Sequence, residues 1–251
     1  MLALSAVLVV QCLLFADGGL LALGANIFNM GLIPCLVVYS LLFCPIVRRG
    51  LSHRRLTLAA LSSALVSAEA GALCVTLQTL ASGVTELPFA AFAALMLPIH
   101  LVIGATEGLA TTAVLNFVLK VRPELLTSFG GWGSTAAKRA ARVKVALVGA
   151  TLAVAMAGGV SLLASSKSDG LEWSMERTAG GAELERTSDV YSAAQSAQEA
   201  TALLEDYELP EGGGTGEAGL VEAVITCSLV AASALIISAV RQMRQRNASR
   251  R

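Results

Sequence analysis

Six side chains in this sequence have chemistry that does not suit their surroundings. Asp17, Asn26, Asn29, Glu69, His100 and Glu107 all fall inside or at the edge of long apolar runs. An ionisable group in hydrocarbon costs a few kcal/mol, so those that persist there face a bundle interior and often mark function. Asp17, in Leu14-Phe15-Ala16-Asp17-Gly18-Gly19, reads either as an interfacial turn residue at a helix break or as one wall of an outward-facing cleft. Asn26 and Asn29 follow closely and either satisfy broken backbone or hold a binding loop in place. Glu69 lies among Ser62, Ser63, Ser67 and Thr76, small and hydroxylated residues that let helices approach closely in a membrane. It is expected to hydrogen-bond a neighbouring helix. His100 and Glu107 are seven apart with Gly104 between them, which puts all three on one helix face. At a rise of about 1.5 Å per residue the two groups stand about 10 Å apart, too far to share one ion. Interhelix hydrogen bonding is the expectation for both, with a proton relay as the alternative.

Outside these positions the chain carries no soluble catalytic constellation. It has no GxxxxGK[ST], so it supplies no nucleotide-driven power stroke of its own, and it has no HExxH, GxSxG or CxxC. The only two histidines are His53 and His100, so a His-rich metal site cannot be assembled from this chain alone. Cys12, Cys35, Cys44, Cys74 and Cys227 sit in or beside apolar runs and read as small buried hydrophobes. No enzyme, no catalytic residue and no covalently bound cofactor is expected.

The elements that must carry these residues follow from composition. With 251 residues, 55% hydrophobic, 14% charged and a mean hydropathy of +0.70, the chain falls well short of the roughly 25% charge of soluble domains. About twenty apolar residues span a bilayer as a helix. Stretches that approach or meet this run over Leu2–Leu23, Ile27–Val47, Leu56–Ala81, Leu87–Leu119, Val143–Ala164 and Leu220–Val240, giving about six spans. The first has no basic residue before it and continues past Asp17-Gly18-Gly19, so it is not expected to be a cleaved signal. The fourth covers 33 positions with Pro98 inside, and reads as one kinked helix or as a short interfacial segment leading into a span. Charge orients the set. Arg48, Arg49, Arg54 and Arg55 follow span two, and Lys120, Arg122, Lys138, Arg139, Arg142 and Lys144 follow span four. Arg241, Arg244, Arg246, Arg250 and Arg251 follow span six. Together these are fifteen of the eighteen basic residues, and alternation puts them on one side. The opposite side receives the 55 residues Ser165–Gly219, with twelve acidic and three basic residues. Within this segment, Asp189–Tyr207 has helix-forming composition and Glu211–Gly216 reads as a linker. The fold class is therefore all-α, a polytopic transmembrane bundle with an acidic extracytoplasmic loop. It is expected in the cell inner (plasma) membrane with both termini cytoplasmic.

Several strings resemble a known family. Leu14-Phe15-Ala16-Asp17-Gly18-Gly19-Leu20-Leu21-Ala22-Leu23-Gly24-Ala25-Asn26-Ile27-Phe28-Asn29-Met30 is similar to the centre of the CbiM/NikM proteins, the substrate-capture subunits of energy-coupling-factor cobalt and nickel transporters. Leu97-Pro98-Ile99-His100-Leu101-Val102-Ile103-Gly104, Glu107-Gly108-Leu109 and Val121-Arg122-Pro123-Glu124-Leu125-Leu126 resemble its last span and exit. Ser168-Asp169-Gly170-Leu171-Glu172-Trp173 is similar to the PDGLE signature of the accessory CbiN/NikN-like module, with serine in place of proline; Asp206-Tyr207-Glu208-Leu209-Pro210 and the last span fit that module too. The resemblance implies a CbiM/NikM-like region over 1–126, a basic cytoplasmic linker over 127–142, a PDGLE module over 143–240 and a basic cytoplasmic tail over 241–251. It also implies a nickel or cobalt ion as cargo, and a transmembrane coupling subunit and ATP-binding subunits as partners. Family members open Met-His-Ile-x-Asp-Gly and bind metal through the terminal amine, that histidine and another in a Gly-His-x-x-Gly loop. This chain opens Met1-Leu2-Ala3, and neither His53 nor His100 matches those positions. No metal ligand is carried over, and the chain is expected to lack the family's N-terminal region. A non-transporting remnant or scaffold, and an ion-coupled carrier using Glu69, His100 and Glu107, stand as the alternatives to an importer subunit.

Overall fold

The structure, a computed structural model, describes residues 1–83, 87–123, 168–180, 188–202 and scattered positions among 126, 151 and 220–243. All regular structure among them is helical. We number the helices α1 (Leu2–Leu14), α2 (Leu23–Arg48), α3 (His53–Ser82), α4 (Phe89–Val121), α5 (Gly170–Ala179) and α6 (Asp189–Glu199). The expected linker 127–142, the span Val143–Ala164 and the tail lie outside the described residues, apart from Thr151 and Met243. The span Leu220–Val240 is helical at its described positions.

Helices α3 and α4 form an antiparallel hairpin whose interface is made of small residues. A Cβ on Gly104 would stand 2.8 Å from the Ala68 Cβ and 3.3 Å from the Leu65 Cα. One on Gly108 would stand 2.8 Å from the Leu61 Cδ1 and 3.2 Å from the Ala64 Cβ. Without those hydrogens-only positions the two backbones could not come this close. Nearer the end of α3 and the start of α4, Ala72, Phe92 and Met96 make the packed core of the hairpin. At the opposite end the His53 Nδ1 meets the Asn116 Oδ1 at 2.8 Å, and the Asn116 Nδ2 donates to the Thr57 Oγ1 at 2.9 Å and to the Thr112 carbonyl at 3.0 Å. That end also carries Arg48, Arg49, Arg54, Arg55, Lys120 and Arg122. The chain enters α3 through Gly50 (φ +123°), whose left-handed backbone only glycine adopts without strain, and Ser52 caps the helix by accepting from the Arg55 N–H.

The hairpin buries small and apolar residues but, unlike a water-soluble bundle, also turns large apolar side chains outward. Its buried positions are Leu56, Ala59, Ala60, Ala72, Thr76, Phe92, Met96, Gly104 and Gly108. Leu58, Val102, Leu109 and Phe117 face outward, each more than half exposed at 59%, 59%, 61% and 58%. An outward apolar surface of this extent needs a non-aqueous solvent. Helix α4 is one continuous helix through Pro98, so of the two readings of Leu87–Leu119 the single helix holds. Its length, about 50 Å at 1.5 Å per residue, exceeds the roughly 30 Å hydrocarbon core.

Helix α2 is wound more widely over Ile27–Phe43 as a π-helix, and at its end the Cys44 N–H donates to the Tyr39 carbonyl, five residues back. Pro34 lies within the wide section. Helix α1 is shorter than the first apolar stretch suggests. It stops at Leu14, about 20 Å long by the helical rise, because the chain turns through positive φ at Ala16 (+56°), Gly18 (+82°) and Gly19 (+64°). The Gln11 carbonyl closes this end by accepting from both the Phe15 and the Asp17 N–H. Hydropathy alone runs through the break, since Leu20 to Leu23 are again apolar.

By contact density the described helices fall into two units: one holds α2, α3, α4 and α5, and the other holds α1 and α6.

Candidate functional site

In the first unit, helix α5 rests on the α3–α4 hairpin near the end of α3 and the start of α4. Its N-cap is Asp169, whose carboxylate accepts from the Glu172 N–H at 2.8 Å, while the Glu172 carboxylate accepts from the Asp169 N–H at 3.4 Å. Both halves of a capping box are present. Leu171 and Met175 pack against the core of Ala72, Phe92 and Met96. Ser174 is fully buried and returns its hydroxyl to the Gly170 carbonyl at 2.6 Å. The Arg177 guanidinium lies 5.4 Å from the Trp173 ring centre. His100 is half-buried under the start of α5, with its Nδ1 2.8 Å from the Met96 carbonyl. A carbonyl only accepts, so Nδ1 carries the proton and donates, which fixes the ring.

Gly104, predicted to share a stripe with His100 and Glu107, is buried against α3. Glu107 is exposed. Among the described residues Glu107 has no hydrogen-bond partner. The same holds for Glu69. Its Oε1 is buried without a hydrogen-bond partner, as are the Ser63 Oγ and Thr112 Oγ1.

Asn29, read as a cleft or interhelix polar residue, makes an interhelix pair. It sits inside α2, 2% exposed, and exchanges two hydrogen bonds with Gln78: the Asn29 Nδ2 donates to the Gln78 Oε1 at 2.8 Å, and the Gln78 Nε2 donates to the Asn29 Oδ1 at 3.1 Å. This pair locks α2 to α3. Asn26 stands where α2 changes to the wider winding. In the second unit, Asp17 is exposed in the turn after α1. The side chain that organises that turn is Gln198 of α6, 8% exposed. Its Oε1 accepts from the Leu20 N–H at 3.0 Å and its Nε2 donates to the Cys12 carbonyl at 3.2 Å. Gln78, Asn116, Gln198 and Gly170 therefore do positioning work that the sequence reading did not assign, Gly170 having been read only as part of the signature. Amide side chains inside apolar runs were the available signal for the first two.

Among the described residues no three His, Cys, Asp or Glu side chains come together as a cation cage. What the arrangement can do is hold helices at fixed separations, with polar groups at a few places along otherwise apolar walls.

Long helices with apolar exteriors and small-residue contacts define a multi-pass helical membrane protein, and among the described residues three, Leu23–Arg48, His53–Ser82 and Phe89–Val121, are long and apolar enough to cross a bilayer. Residues 1–125 match the family model described as the cobalt uptake substrate-specific transmembrane region, CbiM, and residues 143–239 match the PDGLE domain. The chain is thus a CbiM/NikM-type region joined to a PDGLE module. It is 29% identical over 238 residues to a fused nickel transport protein, NikMN, of Archaeoglobus fulgidus, a match covering 91% of this chain and 69% of that one. It is 32% identical over 183 residues to the fused nickel transport protein LarMN of Lactiplantibacillus plantarum, covering 69% of this chain and 52% of the relative. A metal transport protein of Methanocaldococcus jannaschii is 31% identical over 131 residues, covering 51% and 58%. The chain therefore spans only about half the length of the last two. No solved structure matches.

Proposed function

We propose that this chain is the ion-capturing membrane subunit of a nickel or cobalt importer of the energy-coupling-factor type, driven by separate ATP-binding subunits through a transmembrane coupling subunit. One observation carries the reading: a CbiM-type region and a PDGLE module follow each other in a single chain, matched over 91% of its length by a relative named as a fused nickel transport protein. The lack of a phosphate-binding loop in the sequence fits a subunit that draws its energy from partners. The ion is cargo, and no resident cofactor is proposed.

The protein would lie in the plasma membrane with both termini cytoplasmic. The basic end of the α3–α4 hairpin then faces the cytoplasm, and the end that receives α5 faces out. The carrier alternative finds less support: His100 lies under α5, Glu107 is exposed, the Glu69 Oε1 is unpartnered, and no hydrogen-bonded relay among the described residues joins the three.

The test is uptake of radiolabelled Ni²⁺ and Co²⁺ by cells that express this chain with and without the coupling and ATP-binding subunits. Accumulation that requires all components and ATP supports the proposal. Accumulation by this chain alone, driven by a proton gradient and lost in Glu107→Gln, would replace it with the carrier.

A further inference from the structure

We propose that the Asp169–Glu172 signature is a docking element: it starts helix α5 and seats it on α4 beside His100, and its two carboxylates serve as helix caps, not as ion ligands. Each signature position has its own geometric task. Asp169 is extended (φ −69°, ψ −178°) and caps the helix by accepting from the Glu172 N–H. Glu172 closes the box by accepting from the Asp169 N–H. Leu171 is the apolar anchor, packed with Met175 against Ala72, Phe92 and Met96.

Gly170 sets the distance of approach. A Cβ there would stand 2.8 Å from the Ile103 Cδ1, 3.3 Å from the His100 Cε1 and 3.6 Å from the Ile99 Cγ2. A single methyl could be admitted by a shift of the Ile103 end. A branched side chain could not, because His100 is held by its bond to the Met96 carbonyl and closes the other side. The buried Ser174, bonded back to the Gly170 carbonyl, keeps polar atoms of α5 satisfied where the helix meets the hairpin.

This role contrasts with the obvious reading of an acid-rich segment, in which twelve carboxylates gather divalent cations from outside. Asp169 and Glu172 already spend lone pairs on helix N–H groups. The surface they position, Leu171 and Met175 against Phe92 and Met96, is apolar. The receiving surface on α4 thus fits one kind of occupant, the first turns of a helix that begins with a capped glycine.

The uptake arm of the test rests on the importer reading; the proteolysis arm does not. Full-length chain in membranes, co-expressed with the coupling and ATP-binding subunits, is treated with trypsin, and cleavage after Arg177 is followed by mass spectrometry. Arg177 is exposed on α5, so cutting there reports how often α5 leaves the hairpin. Gly170→Leu should speed this cleavage about tenfold or more, the scale of one overpacked contact. Adding Ile103→Ala should return most of the protection, because it removes the atoms that the new side chain meets.

Asp169→Ala should raise cleavage severalfold through loss of the cap. Asp169→Ser and Glu172→Gln should match the unaltered chain in cleavage and in Ni²⁺ or Co²⁺ uptake, since a hydroxyl and an amide complete the same box without charge. Unchanged cleavage in Gly170→Leu, or no restoration by Ile103→Ala, overturns the docking role. Uptake lost in Asp169→Ser with cleavage unaltered overturns the cap assignment and makes the carboxylate a ligand. Uptake absent even from the unaltered chain defeats the importer reading, while the cleavage series still decides the docking.

Discussion

The side chains that hold this protein in register are amides more than acids. Asn29 and Gln78 satisfy each other with two hydrogen bonds between α2 and α3, whereas the buried Glu69 Oε1 has no partner. Hydrogen bonds between membrane helices contribute about 0.6 kcal/mol each on average and up to about 1.7 kcal/mol. Asn29→Ala should therefore cost about 1–2 kcal/mol and lower Tm in detergent by a few degrees. Replacing both partners by leucine should restore part of it, because no amide is left unpaired. A double-mutant cycle on thermal unfolding measures this, and a coupling near zero would mean the pair is not formed in the folded protein. Glu69 should behave in the opposite way. An unpaired buried acceptor lowers stability, so Glu69→Met is expected to raise Tm with ion uptake unchanged. Uptake abolished in a stable Glu69→Met protein would show that the carboxylate handles the ion or a proton.

Helix pairing follows the same economy of volume. Gly104 and Gly108 admit α3 to van der Waals contact, with Ala68, Ala64 and Leu65 against the first and Leu61 and Ala64 against the second. At Gly104 the close atoms are a Cβ and backbone, which cannot rotate away. Gly104→Ala should thus destabilise by about 1–3 kcal/mol, the range of an overpacked contact, seen as a lower Tm and earlier loss of the hairpin. Gly24→Ala, where nothing lies within 4 Å of an added Cβ, should be neutral or slightly stabilising. Equal effects at the two sites would place the close contact elsewhere. Much of this level was readable from the sequence, because apolar length alone marks α2, α3 and α4, and the small residues mark the contact. The end of α1 was legible only in part: Asp17-Gly18-Gly19 offers a helix break, but hydropathy runs across it and does not decide that the helix stops at Leu14. Partners at long range were hidden. Gln78 pairs across 49 positions and Gln198 reaches Leu20 across 178, distances at which no local pattern operates. The motif Asp169-Gly170-Leu171-Glu172 could be recognised as a string, yet its capping and close-approach roles needed the surface of α4 to be seen. The wide winding of Ile27–Phe43 had no signal beyond Pro34.

At the scale of the molecule, orientation is the property on which the proposed function depends. The α3–α4 hairpin is polar and basic at one end, with His53, Arg54, Arg55, Lys120 and Arg122, and α5 packs near its other end. Between them the exterior is largely apolar, with Glu107 exposed on α4. Basic residues near anionic lipid headgroups contribute about 1 kcal/mol each, and translocating them is costly, so the end with more of them stays inside. The acidic segment 165–219, with three basic residues against twelve acidic, carries no such restraint. Trypsin added to sealed cells should therefore cut only within that segment, after Lys167, Arg177 or Arg186, and should leave Arg48 to Arg55 and Lys120 to Arg122 intact. In inside-out vesicles the pattern should invert, with cuts at the basic end and protection of 165–219. Cleavage near Arg54 in sealed cells would reverse the orientation, and α5 would then sit on the cytoplasmic side, where it could not meet an ion arriving from outside. The same experiment thus decides whether the docked signature helix stands at the entrance or at the exit of the proposed pathway.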